Sequence, residues 1–166
     1  MIRFVNGGHR PIAPPMSDWL FVYGTLRRAC AHPMYRLLAA HARPAGLAAF
    51  AGRLFDLGRY PGAVPDVAAH PPVRGELYRL PDPQALLPLL DRYEGCTDRH
   101  DPAAEYRREQ RIVVREAGPA VRAWIYLYNR PTGALRPIAG GDYVRWRTAC
   151  VTRADGSAHG AAPLRQ

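Results

Sequence analysis

An α+β fold built on a curved or barrel-like sheet is predicted by three observations. The chain carries several runs of strand formers, only a few stretches with helical periodicity, and one long hairpin pattern between residues 105 and 129. Its 166 residues suffice for one domain with a sizeable core. The domain is expected over residues 18–150, between a polar, proline-rich arm at 1–17 and a tail at 151–166 whose composition is that of a disordered segment.

The elements follow in order. "WLFVY" (19–23) is a continuous apolar run, suited to a strand buried on both faces. "PMYRLLAAH" (33–41) places Met34, Leu37, Leu38 and His41 at helical spacing. "GLAAFAGRLFDLG" (46–58) reads as one or two strands, with a bend where Gly52 allows it. "VRGELYRL" (73–80) alternates Val73, Gly75, Leu77 and Arg79 against Arg74, Glu76, Tyr78 and Leu80, and Pro81 stops it. "DPQALLPLLDRYEG" (82–95) is the clearest helix. Asp82 is placed to cap it, Pro83 suits its first turn, and Gly95 sits where helices end. Its predicted apolar stripe is Leu86, Leu89, Leu90 and Tyr93, and Pro88 is a candidate kink. Finally "EYRREQRIVVRE" and "AVRAWIYLYN" are joined by "AGPA" and predict a hairpin. On its second strand Val121, Ala123, Ile125 and Leu127 face one way; Arg122, Trp124, Tyr126 and Tyr128 face the other.

Composition excludes several function classes. No apolar run approaches the roughly 20 residues that span a bilayer, and the first residues lack the apolar stretch of a secretory signal. A cytoplasmic protein without a membrane partner is therefore expected. Cys30, Cys96 and Cys150 are too widely spaced for a zinc ribbon and read as three reduced thiols. The formal charge is +9, and all 23 basic side chains are arginine. They are scattered from Arg3 to Arg165 without a recognition-helix or stacking-aromatic pattern, so no nucleic-acid partner is expected.

Two places can carry chemistry. Tyr23-Gly24-Thr25-Leu26 follows a buried strand, and two arginines come next. Such a stretch is either a plain strand-to-loop turn or a cradle whose backbone N–H groups hold an anion. Glu94 closes the helix of residues 82–95. It is either a solvated residue of the last turn or a partly desolvated carboxyl whose pKa rises toward that of a general acid/base. Asp91 is expected on the exposed side, paired with an arginine. Cys96, Asp98, His100 and Asp101 match no ligand spacing and read as a polar loop, so no metal site is expected.

"FVYGTLRR", "VRGELYRL", "LLDRYEG", "EYRREQRIVV" and "AWIYLYN", joined by "GGDYVRW" (140–146), together resemble the gamma-glutamylcyclotransferase-like family, in particular its AIG2-like and gamma-glutamylamine cyclotransferase branch. The resemblance covers about residues 19–148. It implies a small mixed β-barrel with flanking helices. It also implies a bacterial enzyme that acts on a gamma-glutamyl compound: the substrate's own α-amine attacks its γ-carbonyl, 5-oxoproline forms, and the attached amine leaves. The small-molecule gamma-glutamyl substrate is the implied partner, with neither cofactor nor metal. Carried over by motif, Glu94 is the catalytic residue. Tyr23, Gly24, Thr25 and Leu26 hold the glutamyl moiety, and Tyr106 with Tyr126 or Tyr128 lines its site. The alternative is a non-catalytic small-molecule-binding protein on the same scaffold.

Overall fold

A computed structural model of the protein describes residues 17–96, 98 and 101–156. Five strands close into a barrel: β1 (Trp19–Val22), β2 (Arg43–Phe50), β5 (Val73–Arg79), β6 (Tyr106–Arg115) and β7 (Val121–Tyr128), in the order β1-β5-β2-β6-β7. The apolar run at 19–22 becomes β1, buried on both faces as a strand without alternation requires. It lies antiparallel to β5 and parallel to β7, where Leu20 pairs with Trp124. The hairpin β6–β7 holds its register from Tyr106↔Tyr128 to Val113↔Val121. Phe21, Leu77, Val113, Ile125 and Leu127, each at most 1% exposed, fill the barrel.

The other face of these strands is also buried. Leu38 of α1 (Pro33–His41) and Leu86, Leu87 and Leu90 of α2 (Pro83–Tyr93) pack on Val22, Tyr78, Trp124 and Tyr126. The observed stripe on α2 differs from the expected one: Leu87 is buried, whereas Leu89 is only partly so and Tyr93 is exposed. Asp82 caps α2 through a hydrogen bond that its Oδ1 accepts from the Ala85 N–H at 3.0 Å, and Pro88 does not end the helix.

A second sheet, β4-β3-β8, caps the barrel with β3 (Gly52–Asp56), β4 (Pro61–Pro65) and β8 (Arg136–Pro137). The break between β2 and β3 falls at Ala51, one residue before the glycine expected to make it. Helix α3 (Tyr143–Gly156) starts at Asp142, whose Oδ1 accepts from the Val144 and Arg145 N–H groups at 3.0 and 3.3 Å. It runs past residue 150, so the first residues of the expected tail continue a helix; residues 157–166 lie outside the described residues. Residues 1–16 of the expected arm lie outside them too. Ser17 is buried, and its carbonyl accepts the Trp124 indole N–H at 2.9 Å. Among the described residues, no helix is long and apolar enough to cross a membrane.

Candidate active site

Strand β1 stops at Val22 because Tyr23-Gly24-Thr25-Leu26 turns away from the sheet, closed by the Arg27 N–H donating to the Gly24 carbonyl at 3.1 Å. Among the described residues, the N–H groups of Gly24, Thr25 and Leu26 donate to no protein acceptor. The turn is held from behind by Arg27, whose buried guanidinium bridges Glu76 (3.4 Å) and Asp142 (2.8 Å). The Arg28 N–H donates to Glu76 Oε2 at 3.0 Å. The Arg27 charge therefore ties the turn to β5 and to the start of α3. Gly24 has a packing reason as well: a Cβ there would lie 2.9 Å from Pro61 Cγ.

Helix α2 delivers Glu94 to the same place. The Glu94 N–H closes the last turn on the Leu90 carbonyl at 2.8 Å, and Gly95, at φ +67°, takes the left-handed conformation that ends the helix. The carboxyl faces a cavity of about 220 Å³, partly buried and, among the described residues, reached by no hydrogen-bond donor. Burial pushes its pKa from the ordinary 4.5 up to about 7, and the charge of Glu105 adds to the rise.

Tyr23, Gly24, Thr25 and Leu26 line this cavity with Glu94, Tyr106 and Tyr126. The hydroxyls of all three of these tyrosines are engaged in the protein. Tyr23 donates to the Tyr126 carbonyl at 2.6 Å and accepts the Ala63 N–H at 3.2 Å. Tyr106 donates to the Pro61 carbonyl at 2.9 Å, and Tyr126 to Asp91 Oδ1 at 2.8 Å. Burial pushes all three phenols up, so they stay protonated at neutral pH. Tyr128 is not among the lining residues. Its ring packs edge-on against Tyr106 with centroids 6.0 Å apart, and a Cβ on Gly62 would strike it.

Sequence reasoning did not single out Tyr60, the residue before β4, Pro61, the first residue of β4, or Glu105, the residue before β6, all of which line the cavity. The Tyr60 hydroxyl donates to Glu105 Oε2 at 2.9 Å. The available signal for Glu105 was its place immediately before Tyr106, a residue carried over to the site by the resemblance. Asp91 pairs with an arginine as expected, but not on the surface. It is largely buried, 3.2 Å from Arg108 Nη1. Cys96 directs its thiol to Asp91 at 3.8 Å, and burial pushes that thiol up to about 12. Asp101 accepts the Ala103 N–H at 2.8 Å, as a polar loop residue does; His100 lies outside the described residues. Among the described residues, no three His, Cys, Asp or Glu side chains are grouped to hold a metal.

The sequence and fold have relatives. The family described as "Gamma-glutamyl cyclotransferase, AIG2-like" matches residues 20–145. The Gamma-glutamylcyclotransferase family protein YtfP of Escherichia coli (strain K12) is 32% identical over 127 residues, 75% of this chain and 95% of that protein. The solution structure of YtfP from E. coli superposes with a TM-score of 0.53, covering 78% of this chain and 98% of that one. The crystal structure of YkqA from Bacillus subtilis gives a TM-score of 0.63 at 25% identity, over 82% of this chain but only 43% of that one. An AIG2-like protein from mouse shares the fold at 24% identity, with a TM-score of 0.58 over 74% and 86% of the two chains. The family match over residues 20–145, with 32% identity to YtfP over 95% of that protein, decides the family: the chain belongs to the family described as Gamma-glutamyl cyclotransferase, AIG2-like.

Proposed function

We propose that the protein is a gamma-glutamyl cyclotransferase, releasing 5-oxoproline and a free amine from a gamma-glutamyl amine or peptide, with Glu94 as general acid and base. One observation carries this reading. A carboxyl raised toward neutrality by burial and, among the described residues, without a donor shares a cavity with a run of backbone N–H groups that those residues leave unpaired.

The substrate's α-carboxylate or its developing oxyanion is an acceptor for the N–H groups of Gly24, Thr25 and Leu26. Glu94, whose pKa burial raises to about 7, takes in its ionised form a proton from the α-ammonium. The freed nitrogen pair attacks the γ-carbonyl carbon, a five-membered ring closes, and the carbonyl electrons move onto oxygen. As they return, the bond to the outgoing nitrogen breaks. The protonated Glu94 gives that nitrogen its proton, because an amide anion would be a hopeless leaving group. The attacking nitrogen sheds its second proton, which ends on the released amine as an ammonium ion. One amide bond replaces another, so no electron is gained or lost. Because the attack is intramolecular, holding the chain folded supplies much of the rate. The phenols of Tyr23, Tyr106 and Tyr126, occupied by protein acceptors, shape the cavity and leave proton transfer to Glu94.

The test is direct: incubate the protein with gamma-glutamyl amines and dipeptides and quantify 5-oxoproline. Release from at least one class is expected, and its loss in Glu94→Gln. Binding without release would instead support the non-catalytic reading of this scaffold.

A further inference from the structure

We infer that Glu105 makes the outer half of the cavity selective for a leaving amine that carries a second positive charge, such as one end of an α,ω-diamine. The inference rests on the cyclotransferase reading and adds no chemical step to it.

The chain has a formal charge of +9, yet among the described residues the lining of this cavity holds two carboxylates, Glu94 and Glu105, and no arginine or histidine. The lining also has an inner and an outer end. Tyr23, Leu26 and Tyr126 are buried beneath it, whereas Tyr60 and Tyr93 are 37% and 40% exposed at its rim. A glutamyl group held at the turn directs its leaving amine outward, toward that rim. There Glu105 is fixed in place. Its carbonyl accepts the Asn129 N–H at 2.8 Å, the Asn129 side chain ties the neighbouring Ala104 carbonyl at 3.1 Å, and Tyr60 holds its carboxyl. Among the described residues its ion-pair partner is Arg130, whose Nη1 stands 3.8 Å from Oε1 on a half-exposed side chain, too long and too wet to cancel the charge.

A carboxylate beside the Tyr60 and Tyr106 rings, whose centroids are 6.2 Å apart, is a setting that favours an ammonium ion through charge-assisted hydrogen bonding and the negative ring faces. An amino acid as leaving group brings its own carboxylate toward the same oxygens and is repelled.

The experiment compares three gamma-glutamyl amides with four methylenes on the leaving side, ending in ammonium (1,4-diaminobutane), methyl (n-pentylamine) or carboxylate (5-aminopentanoate). For the wild type, kcat/KM for 5-oxoproline release should fall in that order. About tenfold or more should separate the first from the last, chiefly through KM. Glu105→Gln should narrow the spread to about threefold or less, and Glu105→Lys should reverse the order. Equal wild-type kcat/KM values, or a spread that survives both substitutions, would overturn the role of Glu105 and leave the cyclotransferase reading standing. No 5-oxoproline from any of the three, or from the wider panel above, would overturn the cyclotransferase reading and this inference with it.

Discussion

Asp91 and Glu94 stand three residues apart at the end of one helix, in opposite surroundings. Asp91 points to the packed side. It lies 3.2 Å from Arg108, accepts the Tyr126 hydroxyl at 2.8 Å, and has the Cys96 thiol at 3.8 Å. Arg108, 6% exposed, lies with its guanidinium carbon 4.8 Å above the Trp124 ring. Glu94 points to the cavity and, among the described residues, has no donor at all. The same functional group is a structural pin in one place and a reagent in the other. What separates them is whether the protein supplies the partners that a charged carboxylate needs.

Breaking the reagent should have the largest effect. Glu94→Gln removes the proton shuttle while keeping the shape, and 5-oxoproline release should fall by about 10³-fold with the fold intact. A steady-state assay beside a circular dichroism melt checks both halves. Breaking the pin should act on stability instead. Asp91→Ala leaves Arg108 buried without its counter-charge, and a denaturant midpoint should reveal a loss of about 3 kcal/mol. Adding Arg108→Met should recover part of that loss, which a purely steric role for Asp91 would not allow.

The turn opposite Glu94 can be tested for overpacking. Gly24→Val sets a branched side chain where Pro61 already stands 2.9 Å from a Cβ, so thermal unfolding should show a loss of about 2 kcal/mol. Affinity for gamma-glutamyl compounds should drop as well. Unchanged affinity would count against the N–H cradle.

The smallest effect is in pH-dependent stability. Glu94 ionises higher in the fold than in the unfolded chain, so its contribution favours the fold below about 4.5 and is lost as pH rises through about 7. Glu94→Gln should therefore melt higher than the wild type at pH 8, by the equivalent of about 1–3 kcal/mol, and match it at pH 4. In the same direction, Glu105→Gln takes away a neighbouring negative charge. It should move the acid limb of kcat/KM to lower pH.

The long periodic stretches could be read directly. The apolar run at β1, the capped α2 and the hairpin β6–β7 each carry a strong local pattern, and tertiary packing agrees with it. The second sheet was hidden for a local reason: β4 begins and ends on proline, and β8 has two residues. Helix α3 was not read as a helix: it runs from Tyr143 across the expected domain end at 150, and its last turn is written in the polar, glycine-containing composition of a tail. At the site, the turn and Glu94 could be named, but not their surroundings. Desolvation of Glu94, burial of Asp91 and the approach of Pro61 to Gly24 come from segments brought together across the chain. Tyr126 and Tyr128 share one face of β7, and only the fold separates them. The first lines the cavity; the second packs behind Tyr106.

The central claim is that the Glu94 carboxyl, facing this cavity with no donor among the described residues, changes charge near neutral pH. A carbon-13 NMR titration of glutamate side-chain carboxyls, assigned by difference against Glu94→Gln, measures this without any substrate. The account predicts a midpoint at about 7 for Glu94. A midpoint at the ordinary 4.5 would contradict it.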